Sequence, residues 1–107
     1  MSISTHVLDA ASGRPAAGVP VELARRQGAG WAVLASATTD ADGRTAPFAV
    51  PELGPGEYRL TFEIEGHVAR ETFYPQVVVV FRVTDPAGHY HVPVLLSPFS
   101  YTTYRGS

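Results

Sequence analysis

Between Tyr58 and Ile64 the side chains Tyr58, Leu60, Phe62 and Ile64 alternate with Arg59, Thr61 and Glu63. A repeat of two residues is that of an extended strand with one buried and one wet face; a helix repeats every 3.6. Shorter runs of the same kind recur along the chain, each bounded by Gly, Pro or Asp. Such a pattern commits a chain to an all-β sandwich or barrel.

Read from the N-terminus, Ser2–Asp9 places Ile3, Thr5 and Val7 on one face and Ser4, His6 and Leu8 on the other. Residues 11–15 read as a turn. Val19, Val21 and Leu23 alternate along a second strand ending at Arg25-Arg26, and residues 27–30 close a hairpin. Trp31, Val33 and Ala35 then share one face of a third strand. The run Thr39-Asp40-Ala41-Asp42-Gly43-Arg44 is the strongest turn signal, since Asp and Gly accept the backbone angles a tight turn needs. A short strand is expected over 45–50, a loop over 51–56, and at most one short helical turn over 66–71. Val77–Phe81 is apolar at every position, which predicts a strand covered on both sides or lying at a subunit contact. After a turn at 85–88, strands over 89–97 and 99–104 bring the expected total to eight, the number for a two-sheet sandwich.

A chain of 107 residues suits one domain, 1–107, with a core that needs no staples. There is no cysteine, which removes disulfides, thiol nucleophiles and cysteine-based zinc sites, and no lysine, which removes Schiff-base chemistry. A net charge of −2 argues against nucleic acid or an anionic membrane as partner. No apolar run nears the roughly 20 residues of a membrane-spanning helix. The first six residues have neither a basic start nor an apolar stretch, so a cytoplasmic location is expected.

Few side chains here carry chemistry. His89 and His91 sit two apart and would share one face of a strand, a spacing that serves proton transfer or metal ligation. An apolar run follows directly, which sets His91 beside a core element. Taken alone, His6 reads as an ordinary sheet histidine and Arg44 as a hairpin arginine, while Tyr104 reads equally well as a packing aromatic or a functional one. No pair of carboxylates stands out as an acid–base couple.

Taken together, Ser4-Thr5-His6-Val7-Leu8-Asp9, Gly13-Arg14-Pro15-Ala16, His89-Tyr90-His91 and the closing Tyr104-Arg105-Gly106-Ser107 resemble the transthyretin-related 5-hydroxyisourate hydrolases, enzymes of urate breakdown. The resemblance covers almost the whole chain, and the closing tetrapeptide is its most specific part. It implies a transthyretin-like sandwich assembled as a homotetramer, with sites in a channel between subunits. It further implies His6, Arg44 and His91 as catalytic residues, and Tyr104, Arg105, Gly106 and Ser107 as the substrate-binding floor. The implied reaction opens the 5-hydroxyisourate ring to 2-oxo-4-hydroxy-4-carboxy-5-ureidoimidazoline. Water attacks an amide-like carbonyl of a ring that is already activated, so no metal or organic cofactor is expected. A histidine titrating near neutrality can act as base and then acid, and a guanidinium presents a planar fork of donors to a flat, oxygen-rich ring. Which histidine is the base stays open at this point.

One segment departs from the family pattern. Residues 66–74 are shorter than the usual stretch, which holds a fuller helix, although Glu71-Thr72-Phe73-Tyr74-Pro75 still matches. Three rival readings stand beside the hydrolase. A small-ligand carrier on the same sandwich would need no protonatable groups in its channel. A cell-surface adhesion module would bring an export signal or flanking domains. A zinc protein would use His6, His89 and His91.

Overall fold

A computed structural model describes residues 1–49 and 54–107. The longer strands are β1 (Ser2–Asp9), β3 (Pro20–Gln27), β4 (Gly30–Thr38), β6 (Gly56–Glu63), β7 (Gln76–Val83), β8 (His89–Ser97) and β9 (Ser100–Thr103). Two further strands, β2 (Arg14–Pro15) and β5 (Phe48–Ala49), are two residues each. The expected turn over 11–15 therefore contributes a short rung. The expected strand over 45–50 contracts to β5 among the described residues, and Val50 with residues 51–53 of the expected loop lies outside them.

One sheet runs β2-β1-β8-β9, with β5 also on β1; the other runs β4-β3-β6-β7. All pairings are antiparallel except β1 with β8, which run parallel from Ser2 opposite His89 to Asp9 opposite Leu96. The two sheets close on one core. Ile3, Val7, Tyr90, Val92 and Val94 face Val21, Leu23, Tyr58, Leu60, Phe62 and Val77 across it. The alternation in β6 sends Tyr58, Leu60 and Phe62 to full burial and leaves Arg59 and Thr61 on the outer face. Thr5, on the inner face of β1, donates its hydroxyl hydrogen to the Val92 carbonyl at 2.6 Å, so its burial leaves no polar atom stranded.

Three expectations need correction. Trp31, Val33 and Ala35 do not share a face. The β3–β4 register passes from Leu23 opposite Ala35 to Ala24 opposite Val33, so Leu34 is an extra residue in a β-bulge. Side-chain alternation changes phase there: Leu34, Ala35 and Ala37 all pack on the core, and Val33 is exposed. Trp31 turns outward beneath the guanidinium groups of Arg26 and Arg59, at 5.3 and 4.8 Å from its ring centre.

The 66–71 segment forms no helical turn. The His67 amide donates to the Ile64 carbonyl at 3.0 Å in a single tight turn, and Arg70 then pairs with Asp9 at 2.9 Å. Finally, β7 is covered on one side only. Val77 and Val83 are buried, while Val78 and Val80 are 44% and 51% exposed on an edge strand. Among the described residues nothing lies over them, so this chain does not itself cover the strand on both sides.

Since Phe62 is wholly enclosed between the sheets, Phe62→Ala should cost about 3–5 kcal/mol of unfolding free energy. Denaturant titration of the two proteins measures this. A change below about 1 kcal/mol would mean that the sheets do not close on a packed core.

Candidate active site

The parallel β1–β8 pair brings together residues that are more than 80 apart in sequence, setting Ser2 beside His89, Ser4 beside His91 and His6 beside Pro93. All six lie on the outer face, because their neighbours Ile3, Thr5, Val7, Tyr90, Val92 and Val94 point inward. The two histidines of β8 thus share a face as their spacing predicts.

The opposite edge of β1 has β5 at one end and β2 at the other. Between them the 40–44 loop docks. Arg44 forms a bridge with His6, and the Val7 amide donates to the Gly43 carbonyl at 2.8 Å. Asp40 holds this loop in shape: its carboxylate accepts from the amides of Asp42 (2.9 Å) and Arg44 (3.0 Å). Gly43 has φ +75°, and a Cβ there would fall 2.3 Å from the Val7 carbonyl oxygen. Only glycine satisfies both the angle and the approach.

Arg44 now reaches the outer face beside the histidines. A cleft of about 320 Å³ is lined by Ser4, Thr5, Arg44, Thr45, Pro47, His89, His91 and Ser107. His6 stands at its rim, tied through the bridge to Arg44. The His6 Nε2 lies 2.9 Å from the Asp42 carbonyl. A carbonyl only accepts, so this nitrogen carries the hydrogen and leaves Nδ1 as the basic atom of neutral His6.

His91 is half-buried, and its Nδ1 lies 2.8 Å from Ser4 Oγ. Burial pushes its pKa below the ordinary value of 6.5. The charges of Arg44, His89 and His6 push it further down, against a weaker opposing effect of a hydrogen bond to Ser4. At neutral pH the ring is therefore uncharged and able to take a proton. Among the described residues, His91 Nε2 has no hydrogen-bond partner.

The closing tetrapeptide is docked. The Gly106 amide donates to the His91 carbonyl at 2.9 Å, an antiparallel bridge that lays the chain against the imidazole. A Cβ at Gly106 would come within 2.5 Å of His91 Cδ2 and 3.2 Å of Pro93 Cγ. Ser107 consequently lines the cleft. Arg105 turns to the other face of β8, its guanidinium 4.8 Å from the ring centre of buried Tyr90, where it anchors the tail. Tyr104 is 56% exposed and does not line the cleft of the single chain.

The structure thus gathers Arg44, His91, Ser107 and, at the rim, His6. The lining residues Ser4, Thr5, Thr45, Pro47 and His89 are additions to the expected set. Ser4 was detectable in principle, as it shares the outer face of β1 with His6. Its partnership with His91 depends on a parallel register that no local pattern carries. Among the described residues, no group of three or more His, Asp or Glu side chains is placed to hold a metal ion, and His89 and His91 share a serine hydroxyl instead.

Two measurements check this geometry. Replacing Arg44 with Gln should raise the His91 midpoint in an NMR titration toward 6.5, because a positive neighbour has been removed; an unmoved midpoint would separate the two residues. Replacing Gly106 with Ala should displace either the tail or the His91 ring, seen as faster amide exchange at residue 106 or a shifted ring resonance. No change in either would contradict the 2.5 Å approach.

The HIUase/Transthyretin family model matches residues 3–106 of the chain. The 5-hydroxyisourate hydrolase of Caulobacter vibrioides is 46% identical over 112 residues, covering 98% of this chain and 97% of that one. The solved structure of Klebsiella pneumoniae 5-hydroxyisourate hydrolase superposes with a TM-score of 0.85 at 37% identity, over 100% of both chains. Transthyretin from Sparus aurata superposes with a TM-score of 0.86 at 32% identity, over 97% of this chain and 95% of that one. With the family's pattern matched over residues 3–106 and the fold superposing over nearly the whole chain, this chain belongs to the HIUase/Transthyretin family.

Proposed function

We propose that this protein is a 5-hydroxyisourate hydrolase of urate breakdown, producing 2-oxo-4-hydroxy-4-carboxy-5-ureidoimidazoline, and that residues 1–107 act as a single hydrolase domain. The observation that carries the reading is that Arg44, His91 and Ser107, from three distant parts of the chain, line one cleft. Relatives named as 5-hydroxyisourate hydrolases at 40–46% identity support the substrate.

His91 is the water-activating base. Its lowered pKa keeps it uncharged at neutral pH, and its Nε2 is the ring nitrogen without a protein partner. Water bound there loses a proton as its oxygen attacks the ring carbonyl, and the same proton is available for the departing nitrogen. Arg44 anchors the ring oxygens and stabilises the developing oxyanion; one such well-placed donor is worth on the order of 100- to 1000-fold in rate. His6 orients substrate at the rim through Nδ1, its Nε2 being committed to Asp42. Gly106 holds the end of the chain against His91, which brings Ser107 to the floor of the cleft.

The same proposal includes a homotetramer with the cleft at a subunit interface. Its support is the apolar outer face of edge strand β7, with Val78 and Val80 exposed, and the openness of the cleft in a single chain.

Urate and urate oxidase supplied to the purified protein generate the substrate in place. Decay of its ultraviolet absorbance should accelerate with micromolar protein, and His91→Asn should remove about 100- to 10,000-fold of that rate. Unaltered decay with the wild-type protein would refute the function. Full turnover by the variant would refute the assignment of the base. A ligand carrier on the same sandwich would accelerate nothing.

A further inference from the structure

Beyond the cleft, His91 is the inner end of a row of side chains on the outer face of the β1–β8 pair. His91 Nδ1 meets Ser4 Oγ at 2.8 Å, Ser4 Oγ meets His89 Nε2 at 3.2 Å, and His89 Nδ1 meets Ser2 Oγ. The row runs from a half-buried imidazole to an exposed one, rung by rung, because the parallel register sets Ser4 beside His91 and Ser2 beside His89.

The chemistry of these groups gives the row two senses. A hydroxyl both donates and accepts, whereas a neutral imidazole has one donor and one acceptor nitrogen. If every donor points outward, His91 Nδ1–H donates to Ser4, Ser4 to His89, and His89 to Ser2. His91 Nε2 is then a bare lone pair. If every donor points inward, Ser2 donates to His89, His89 to Ser4, and Ser4 to His91 Nδ1. His91 Nε2 then carries the hydrogen. Moving one proton along the row converts one sense to the other.

We propose that Ser4 and His89 are positioning residues forming a proton relay that resets His91 between its base and acid forms. The inference rests on the hydrolytic reading of the cleft. The reaction itself requires His91 to act first as a base and then as an acid. One C–N bond breaks and one C–O bond forms; of the two water hydrogens, one goes to the departing nitrogen and the other belongs to a carboxylic acid that ionises. That acid proton is the one net release per turnover; the row itself sends one proton out and takes one back as His91 changes from base to acid and returns. When His91 Nε2 takes a proton from water, its Nδ1 proton passes to Ser4. The Ser4 proton passes to His89 Nε2, the His89 Nδ1 proton to Ser2, and the Ser2 proton to solvent. Each side chain ends with the number of hydrogens it began with, both imidazoles having exchanged tautomer, and His91 is left neutral with Nε2–H. In that form it can donate to the departing nitrogen, while a proton returning along the row restores Nδ1–H. His6 cannot share this behaviour, because its Nε2 faces a carbonyl that only accepts.

Three variants test the proposal. Ser4→Ala cuts the row beside His91. His89→Gln retains side-chain hydrogen bonding but removes the group that accepts on one nitrogen and releases from the other. Ser4→Thr keeps the hydroxyl. Loss of part of the general acid–base contribution should lower kcat about 10- to 100-fold in the first two, with KM within about twofold, and Ser4→Thr should recover most of it. In mixed light and heavy water, wild-type kcat should bend against deuterium fraction, as several protons move together, and should become linear in Ser4→Ala. Wild-type turnover in both Ser4→Ala and His89→Gln would overturn the relay.

A readout independent of turnover comes from nitrogen-15 shifts of His91. Both ring nitrogens should show averaged tautomers in the wild type and collapse to the Nε2–H form in Ser4→Ala; unchanged shifts would overturn the proposal. If the wild-type protein fails to hydrolyse 5-hydroxyisourate while these shifts respond, the hydrolytic reading fails and the hydrogen-bonded row stands.

Discussion

The parallel pairing of β1 with β8 is the contact on which both core and site depend. It is the sole parallel pairing among the described strands, joining the first strand to the eighth. Inward, it delivers Ile3, Val7, Tyr90, Val92 and Val94 to the core. Outward, it delivers Ser2, Ser4, His6, His89 and His91 to one surface. Because successive residues face opposite ways, a slip of one position would exchange these sets. Apolar side chains would reach solvent and imidazoles would enter the core. The hydrophobic effect that closes the sandwich thereby also fixes the partner of each polar group on the outer face.

The free edge of β1 supplies the second requirement. A sheet edge presents unpaired amides and carbonyls, and here the middle of that edge is met by the 40–44 loop rather than by another long strand. Asp40 folds the loop upon itself, Gly43 lets it approach Val7, and Arg44 is the result. The guanidinium is carried on a tight, self-bonded turn, so the backbone beneath it has little freedom to lose when substrate binds. Beside it, burial and positive neighbours keep His91 uncharged. The arginine that would hold an oxyanion thus also helps keep the base unprotonated.

Much of this was legible in the residues themselves. The period-two run of Tyr58, Leu60 and Phe62 declared a half-buried strand, and the turn at 40–44 was signalled by Asp and Gly. The β4 bulge was not legible, since Leu34 and Ala35 are both small or medium apolar residues and nothing local distinguishes an extra residue from an alternating one. The site was legible only by resemblance. His6, Arg44 and His91 each look ordinary in their own segments, and their meeting depends on pairings across the whole chain. Ser4 escaped notice for the same reason, and His89 stood out only by its spacing from His91: a serine and a surface histidine acquire a joint meaning only when one register sets them side by side. The tail divides differently from its sequence motif. Ser107 reaches the cleft and Gly106 docks on His91, whereas Arg105 places its charge against the ring of Tyr90.

The wide sequence separation within the β1–β8 pair has a consequence for how the protein comes into being. Strand β1 leaves the ribosome first and must wait for almost everything else before its long partner exists. Until then, its serines and histidine face no cleft, and its isoleucine and valine have no roof. No smaller folded unit could carry the chemistry in advance. Activity and native structure should arise in one cooperative event, at the slow pace of long-range strand pairing.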